Sequence, residues 1–99
     1  MDNTKRLYLA HCGFYDPSIG EGVFENHTNF FITAETFDDA KHKAKQLPEF
    51  KEKRMHIDGL QEIQVVDGHR VALIPDQSVE GQTIIANNKY RQLAARTTT

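Results

Sequence analysis

The segment from Thr36 to Pro48 carries the start and stop signals of one helix, and that helix limits the folds open to the chain. Thr36 is a favoured helix cap, and Asp38 and Asp39 place negative charge in the first turn, where the helix dipole favours it. Pro48 ends the helix because a proline disfavours helical geometry in the residue before it. Apolar residues at helical spacing predict one apolar stripe formed by Phe37, Ala40, Ala44 and Leu47. One such helix can cover only one face of a sheet.

Two segments before this helix predict the first strands of that sheet. Residues 6–14 and 27–34 are rich in apolar and aromatic residues, as strands are. Between them, Asp16-Pro17-Ser18 and Gly20-Glu21-Gly22 favour turns. We therefore interpret residues 15–25 as a surface loop that is long enough to contribute to a binding site.

A β-hairpin is predicted after the helix, from Met55 to Pro75. Its turn is Asp67-Gly68, a preferred dipeptide for two-residue hairpin turns. Strict alternation along the hairpin places Ile57 and Leu60 on opposite faces. Both faces then carry apolar residues, so the face away from the helix must meet the C-terminal segment, a second subunit or water.

The predicted order is β-β-α-β-β in a single domain, since 99 residues support no more. We expect an α+β fold in two layers, with one helix on a mainly antiparallel four-stranded sheet. The connection from strand two to strand three is expected to be right-handed if those strands are parallel. The ordered core is predicted at about 5–75, an additional C-terminal arm at 76–95 and a disordered tail at 96–99. The sequence leaves open whether the arm is a strand, a short helix or a segment that packs on a neighbour.

Charge and cysteine content exclude several classes of protein. The net charge is -2 and the pI is near 6.2, with Lys and Arg scattered among Asp and Glu, so we expect no nucleic-acid binding. Cys12 is the only cysteine, which rules out an internal disulfide and fits a reducing compartment. No stretch approaches the roughly 20 apolar residues that cross a bilayer. We therefore expect a cytoplasmic protein that does not bind membranes.

Glu25, His27, His56 and Asp58 are the candidate metal ligands. Residues two apart on a strand point the same way, so Glu25 with His27, and His56 with Asp58, form two imidazole–carboxylate pairs. Such groups suit zinc or iron, and they equally suit acid–base chemistry. A divalent metal is therefore the cofactor that the sequence suggests. The alternative interpretation is a solvated polar face of each strand.

The remaining histidines and the cysteine lack the neighbours that catalysis needs. His11 and Cys12 point to opposite faces of the first strand, so their spacing does not make a nucleophile–base pair. His42 lies among helix lysines and His69 lies beside the hairpin turn, and we expect both to be exposed. The adjacent pair Phe30-Phe31 has no basic residues interleaved and is interpreted as core.

Several of these segments together resemble a small bacterial family known as domain of unknown function 1543. The resemblance spans about Lys5 to Pro75, and in this chain Cys12-Gly13 stands where the family has paired glycines. It implies a bacterial protein without an assigned activity. It also singles out Glu25, His27, His56 and Asp58 as positions that match the family's motifs. It does not give these residues a role. The matching segments are Leu7-Tyr8-Leu9, Gly13-Phe14-Tyr15, Phe24-Glu25-Asn26-His27, the helix rich in Ala and Lys, and His56-Ile57-Asp58.

Three functions follow as hypotheses. The first, which the sequence favours, is a non-catalytic homo-oligomeric interaction or assembly module that uses the second sheet face and the C-terminal arm. The second is a metal-binding protein or small metal-dependent enzyme that uses the four candidate ligands. The third is a regulator that binds a small ligand in a pocket covered by the loop from Asp16 to Gly22. Catalysis has the least support, because no nucleophile has an identifiable base.

Overall fold

The structure is a computed structural model, and it describes residues 4–88. Among these residues, no helix has the length and apolar character needed to cross a membrane. Short 3-10 turns lie at Gly20–Gly22 and Gln77–Val79. The strands and α-helices are β1 (Arg6–Tyr15), β2 (Glu25–Ala34), α1 (Phe37–Gln46), α2 (Pro48–Glu52), β3 (His56–Glu62), β4 (Val65–Val66) and β5 (His69–Arg70).

β1 is the central strand of a three-stranded antiparallel sheet with the order β2-β1-β3. It pairs along its full length with β2, and its residues Tyr8 to Gly13 pair with β3. Because β2 and β3 are both antiparallel to β1, they run parallel to each other, and the two helices connect them past β1. The predicted α+β fold with a main helix on an antiparallel sheet is confirmed.

The predicted fourth strand does not join this sheet. β4 and β5 pair only with each other, and the register is the one that the turn predicted. Asp67 and Gly68 have φ values of 49° and 76°, as a type I′ turn requires. The last ladder bond of β3 runs from Ile63 N to Leu7 O at 2.8 Å. β1 begins at Arg6, so the hairpin continues past the end of its partner strand and forms a separate small sheet.

α1 follows the sequence prediction closely. Thr36 Oγ1 accepts a hydrogen bond from Asp39 N at 3.1 Å, which caps the helix as predicted. Pro48 does more than end this helix, since it is the first residue of α2. A proline fits that position because the first residue of a helix needs no backbone N–H donor. The short helix α2 thus lies between α1 and the start of the predicted hairpin at Met55.

The core lies between α1 and the inner face of the sheet, and α1 contacts all three strands. Alanines on both sides of this contact keep the two layers close. Phe31 is 53% exposed on the outer face, so its predicted core position is wrong, whereas Phe30 packs against the core. Adjacent residues of a strand point to opposite faces, which separates the two. The buried side chains are Tyr8, Ala10, Cys12, Phe14, Ile32, Ala34, Ala40, Ala44, Phe50 and Met55.

Residues 71–88 contain no strand and no α-helix, and most of their side chains are exposed. This segment includes the first part of the predicted C-terminal arm. The rest of that arm and the predicted disordered tail at 96–99 lie outside the described residues. The described segment passes near the outer face, where Gln82 to Ile85 and the residues Leu7, Phe31 and Thr33 border one cavity.

Candidate metal centre

Three neighbouring strands place two histidines and one glycine in a row across the sheet. His27 on β2 and His56 on β3 both lie opposite Gly13 of β1. Glu25 lies two residues before His27 and therefore faces the same side of the sheet. β1 thus brings together the two imidazole–carboxylate pairs that the sequence predicted separately.

Asp58 lies in a β-bulge. Ile57 and Gly59 lie opposite consecutive residues of β1, so Asp58 between them is the extra residue without a cross-strand partner. The bulge shifts the alternation of β3 by one residue. Ile57 and Leu60 consequently both pack against the core, and their predicted placement on opposite faces is wrong. Asp58 keeps the outward direction that alternation from His56 gives it, and the residues after the bulge are the ones that change faces.

The four candidate side chains form a closed ring in which imidazoles and carboxylates alternate; we call it the His–carboxylate ring. His27 Nε2 lies 3.0 Å from Asp58 Oδ2 and 3.1 Å from Glu25 Oε1. His56 Nε2 lies 2.5 Å from Glu25 Oε2 and 3.2 Å from Asp58 Oδ1. Each carboxylate therefore contacts both imidazoles, through a different oxygen in each case. Ligand atoms of Glu25, His56 and Asp58 all lie within 4.8 Å of one another.

Gly13 forms the floor beneath this ring. A Cβ atom at position 13 would lie 2.6 Å from His56 Nε2, 2.7 Å from Asp58 Oδ2 and 2.8 Å from Glu25 Oε2. All three separations are shorter than van der Waals contact, so a side chain here would displace the ligand atoms. The φ angle of Gly13 is not positive. Glycine is therefore needed at this position for the space above its Cα atom and not for its backbone conformation.

The ring is open to solvent and flanked by two further aromatic side chains. The side chains of its four residues are between 31% and 45% exposed. His11 stacks on His27, with ring centroids 4.7 Å apart and planes 7° from parallel. The Tyr15 ring lies 6.5 Å from that of His56. An ion held by the ring would keep one side accessible to water or to a small ligand.

Cys12 lies on the inner face of β1, next in sequence to Gly13, and is fully buried. Burial, and secondly the charge of Asp58, raise the pKa of its thiol. The prediction that His11 and Cys12 face opposite ways is confirmed, because His11 is exposed. His42 and His69 are also exposed, as expected.

The predicted ligand pocket under the loop from Asp16 to Gly22 takes a different form. A cleft of about 590 Å³ lies at the end of β1, and it is lined by residues 14–17 and 52–54. The loop contributes Asp16 and Pro17 to one wall and does not cover the cleft. Asp16 Oδ1 accepts hydrogen bonds from Ser18 N at 2.9 Å and Ser18 Oγ at 2.7 Å, which lower the pKa of Asp16 and order the start of the loop.

The comparisons with known proteins give one result. No curated protein and no solved structure matches the chain. The sequence model of a family described as Domain of Unknown Function (DUF1543) matches residues 22–73. The matched segment contains β2, both helices, β3 and the hairpin, and with them all four residues of the His–carboxylate ring. It does not contain His11 or Gly13. Because the match covers more than half of the 99 residues, the chain belongs to the DUF1543 family.

Proposed function

We propose that the protein binds a divalent metal ion through Glu25, His27, His56 and Asp58. The observation that carries this proposal is the convergence of their ligand atoms, with four nitrogen–oxygen contacts between 2.5 and 3.2 Å. An imidazole Nε2 carries at most one hydrogen, yet each Nε2 here faces two carboxylate oxygens. A hydrogen bond accounts for one contact of each imidazole, whereas a shared cation accounts for both.

The ligand types favour zinc or another first-row transition ion. Two imidazoles and two carboxylates suit such ions, while magnesium and calcium prefer oxygen ligands alone. Ligands placed 2.0–2.2 Å from a tetrahedral zinc ion are about 3.3 to 3.6 Å from one another. The four imidazole–carboxylate contacts in the ring are up to about 1 Å shorter than that separation, so small side-chain rotations would admit the ion.

The surroundings of the ring support the same proposal. Gly13 leaves free the space that a side chain would fill, directly beneath the ligand atoms. Within residues 4–88, no lysine or arginine forms an ion pair with Glu25 or Asp58. A metal ion would supply the positive charge that these two carboxylates otherwise receive only from imidazoles.

The direct test is the metal content of untagged protein prepared without chelators, measured by plasma mass spectrometry and followed by calorimetric titration with Zn²⁺. We expect close to one ion per chain. His56→Ala should lose most of the affinity, while His42→Ala, which removes an exposed histidine of α1, should bind as the unaltered chain does. The proposal would be ruled out if folded protein contains only background metal and releases no heat of binding when Zn²⁺ is added.

A homo-oligomeric assembly role is a second proposal, supported by exposed apolar side chains in the C-terminal half of the described chain. Ile74 is 88% exposed, Ile84 72% and Ile85 60%, and both residues of β4 are more than half exposed. Ile84 and Ile85 are adjacent and border one cavity with Leu7 and Phe31, and exposed apolar surface of this kind is typical of interaction sites. We propose that a second copy of the chain covers it, which retains the function that the sequence favoured.

Sedimentation equilibrium at micromolar concentration tests the assembly proposal. We expect a dimer or larger species that dissociates in the double variant Ile84→Asp with Ile85→Asp. The matched control is Gln82→Asp, which adds a charge to the same segment without removing an apolar side chain. A strict monomer in the unaltered protein would contradict the proposal.

Two further expectations have less support. The cleft at the end of β1 could hold a small ligand, and a thermal-shift screen tests this because a ligand of the native state raises its stability. We also propose a bacterial, cytoplasmic setting, which a chain with one buried cysteine and no disulfide fits.

A further inference from the structure

We propose that His11 is a positioning residue for the metal site, where it holds the imidazole of His27 with Nε2 directed at the two carboxylates. The inference rests on the proposed metal binding. His11 belongs neither to the four candidate ligands nor to the segment that the family model matches.

Within the described residues, the ring of His27 has few contacts that fix its orientation. A histidine that binds a metal usually donates its second ring N–H to a carboxylate or carbonyl, and this bond sets the orientation of the ring. In the described part of the chain, only Nε2 of His27 has polar partners, which are Asp58 and Glu25. The orientation of His27 must therefore come from another contact.

His11 supplies that contact. Its ring lies 4.7 Å from the His27 ring and is within 7° of parallel. The two residues are diagonal neighbours on β1 and β2, because His11 lies opposite Asn29 and His27 lies opposite Gly13. Diagonal neighbours on one face of a sheet are within reach of aromatic side chains. The stack restrains the rotation of His27 about its own side-chain bonds.

A hydrogen bond on one side holds His11, and a glycine borders its other side. His11 Nδ1 lies 2.6 Å from Asn29 Oδ1, a short hydrogen bond between cross-strand partners. On the other side, Gly59 follows the bulge residue and lies opposite His11. A Cβ atom built on Gly59 would lie 3.8 Å from His11 Cβ, so this side of His11 is bordered by a residue without a side chain. A chain of contacts thus runs from Asn29 through His11 and His27 to the carboxylates.

The experiment compares Co²⁺ binding by the unaltered protein, His11→Ala and His11→Phe. Dissociation constants and the visible absorption of bound Co²⁺ are measured for each, since the absorption reports the arrangement of the ligands. We expect His11→Ala to bind about tenfold more weakly, as loss of an outer contact of a metal ligand typically does, with an altered absorption spectrum. His11→Phe keeps a flat ring for stacking and should bind within about threefold of the unaltered chain with an unaltered spectrum.

Each outcome decides between the possible roles of His11. Equal affinities and spectra in all three proteins would overturn the positioning role alone, because metal binding itself would persist. Equal losses in His11→Ala and His11→Phe would also overturn it, since they would show that binding depends on the ring nitrogens of His11 and not on its stacking. If the unaltered protein binds neither Co²⁺ nor Zn²⁺, both this inference and the proposed function fail. Melting temperatures of the metal-free variants show whether any loss reflects unfolding.

Discussion

The inner and outer faces of the sheet alternate residue by residue along the same strands, yet they have different physical roles. On the inner face, apolar side chains are buried under α1, and the described residues include no buried charged side chain. On the outer face, two imidazoles and two carboxylates converge while remaining about one-third exposed or more. Cys12 is a core residue, and its neighbour Gly13 is the floor of the candidate site.

The inner-face side chains supply packing that stabilises the domain, whereas the proposed metal binding depends on a separate set of side chains on the same strands. A change on one face should therefore affect one property and leave the other nearly constant. The inner face tests this separation through stability and the outer face through metal affinity.

The largest expected effect comes from two adjacent residues of β2 that face opposite ways. Ile32→Ala removes a side chain that is 6% exposed on the inner face and should lower the free energy of unfolding by about 3 kcal/mol. Phe31→Ala, on the outer face, should cost less than about 1 kcal/mol. Urea denaturation measures both. If Phe31→Ala costs as much as Ile32→Ala, the outer face is covered in solution and the contrast between the faces is lost.

The second effect separates affinity from stability at Gly13. Gly13→Ala places a methyl group among three ligand atoms and should weaken Zn²⁺ binding by about a hundredfold, or about 2.7 kcal/mol. The atoms displaced are the ends of rotatable side chains, and alanine lowers the entropy of the unfolded chain, so metal-free stability should change by less than about 1 kcal/mol.

Gly59→Ala is the matched control for this substitution. Its Cβ would meet only His11 Cβ, at an ordinary distance of 3.8 Å, so Zn²⁺ affinity should be retained. Calorimetric titration and urea denaturation of both variants check the prediction. Unchanged Zn²⁺ affinity in Gly13→Ala would show that the ion does not bind above this glycine.

A smaller effect is expected at Tyr8 on the inner face. Its side chain is fully buried against Phe37, and within the described residues its hydroxyl group has no hydrogen-bond partner. A buried hydroxyl without a partner loses its bonds to water, so Tyr8→Phe should raise the free energy of unfolding by about 1 kcal/mol. Metal affinity should stay the same. Destabilisation by Tyr8→Phe would reveal a partner for the hydroxyl in solution.

The smallest effect concerns the pH dependence that Cys12 contributes. Burial raises the pKa of its thiol above the ordinary value of 9.0, so the folded state keeps the proton longer than the unfolded state does. The stabilisation is fully present below pH 9.0 and is lost as the pH rises through the folded-state pKa. Above pH 9.0 the free energy of unfolding should therefore fall, because the unfolded thiol ionises while the folded thiol keeps its proton. Cys12→Ala should lack this loss, and equal pH profiles would contradict the assignment.

Local sequence patterns determined much of the architecture. The Thr36 cap, the turn at Asp67-Gly68 and the single main helix all depend on residues a few positions apart, and the structure contains each of them. The same holds for the two imidazole–carboxylate pairs, because the side-chain direction of residues two apart follows from strand geometry. On α1, Ala40 and Ala44 of the predicted apolar stripe are buried, whereas Phe37 is 49% exposed.

Tertiary structure decided how the two pairs meet. The pairs are separated by about thirty residues in sequence, and they become one ring only because both flank Gly13 on the central strand. The bulge at Asp58, the stack of His11 on His27 and the separation of the hairpin from the main sheet have the same origin. Each depends on the register between strands that are distant in sequence. Packing of the whole domain sets that register, so a pattern of neighbouring residues does not determine it.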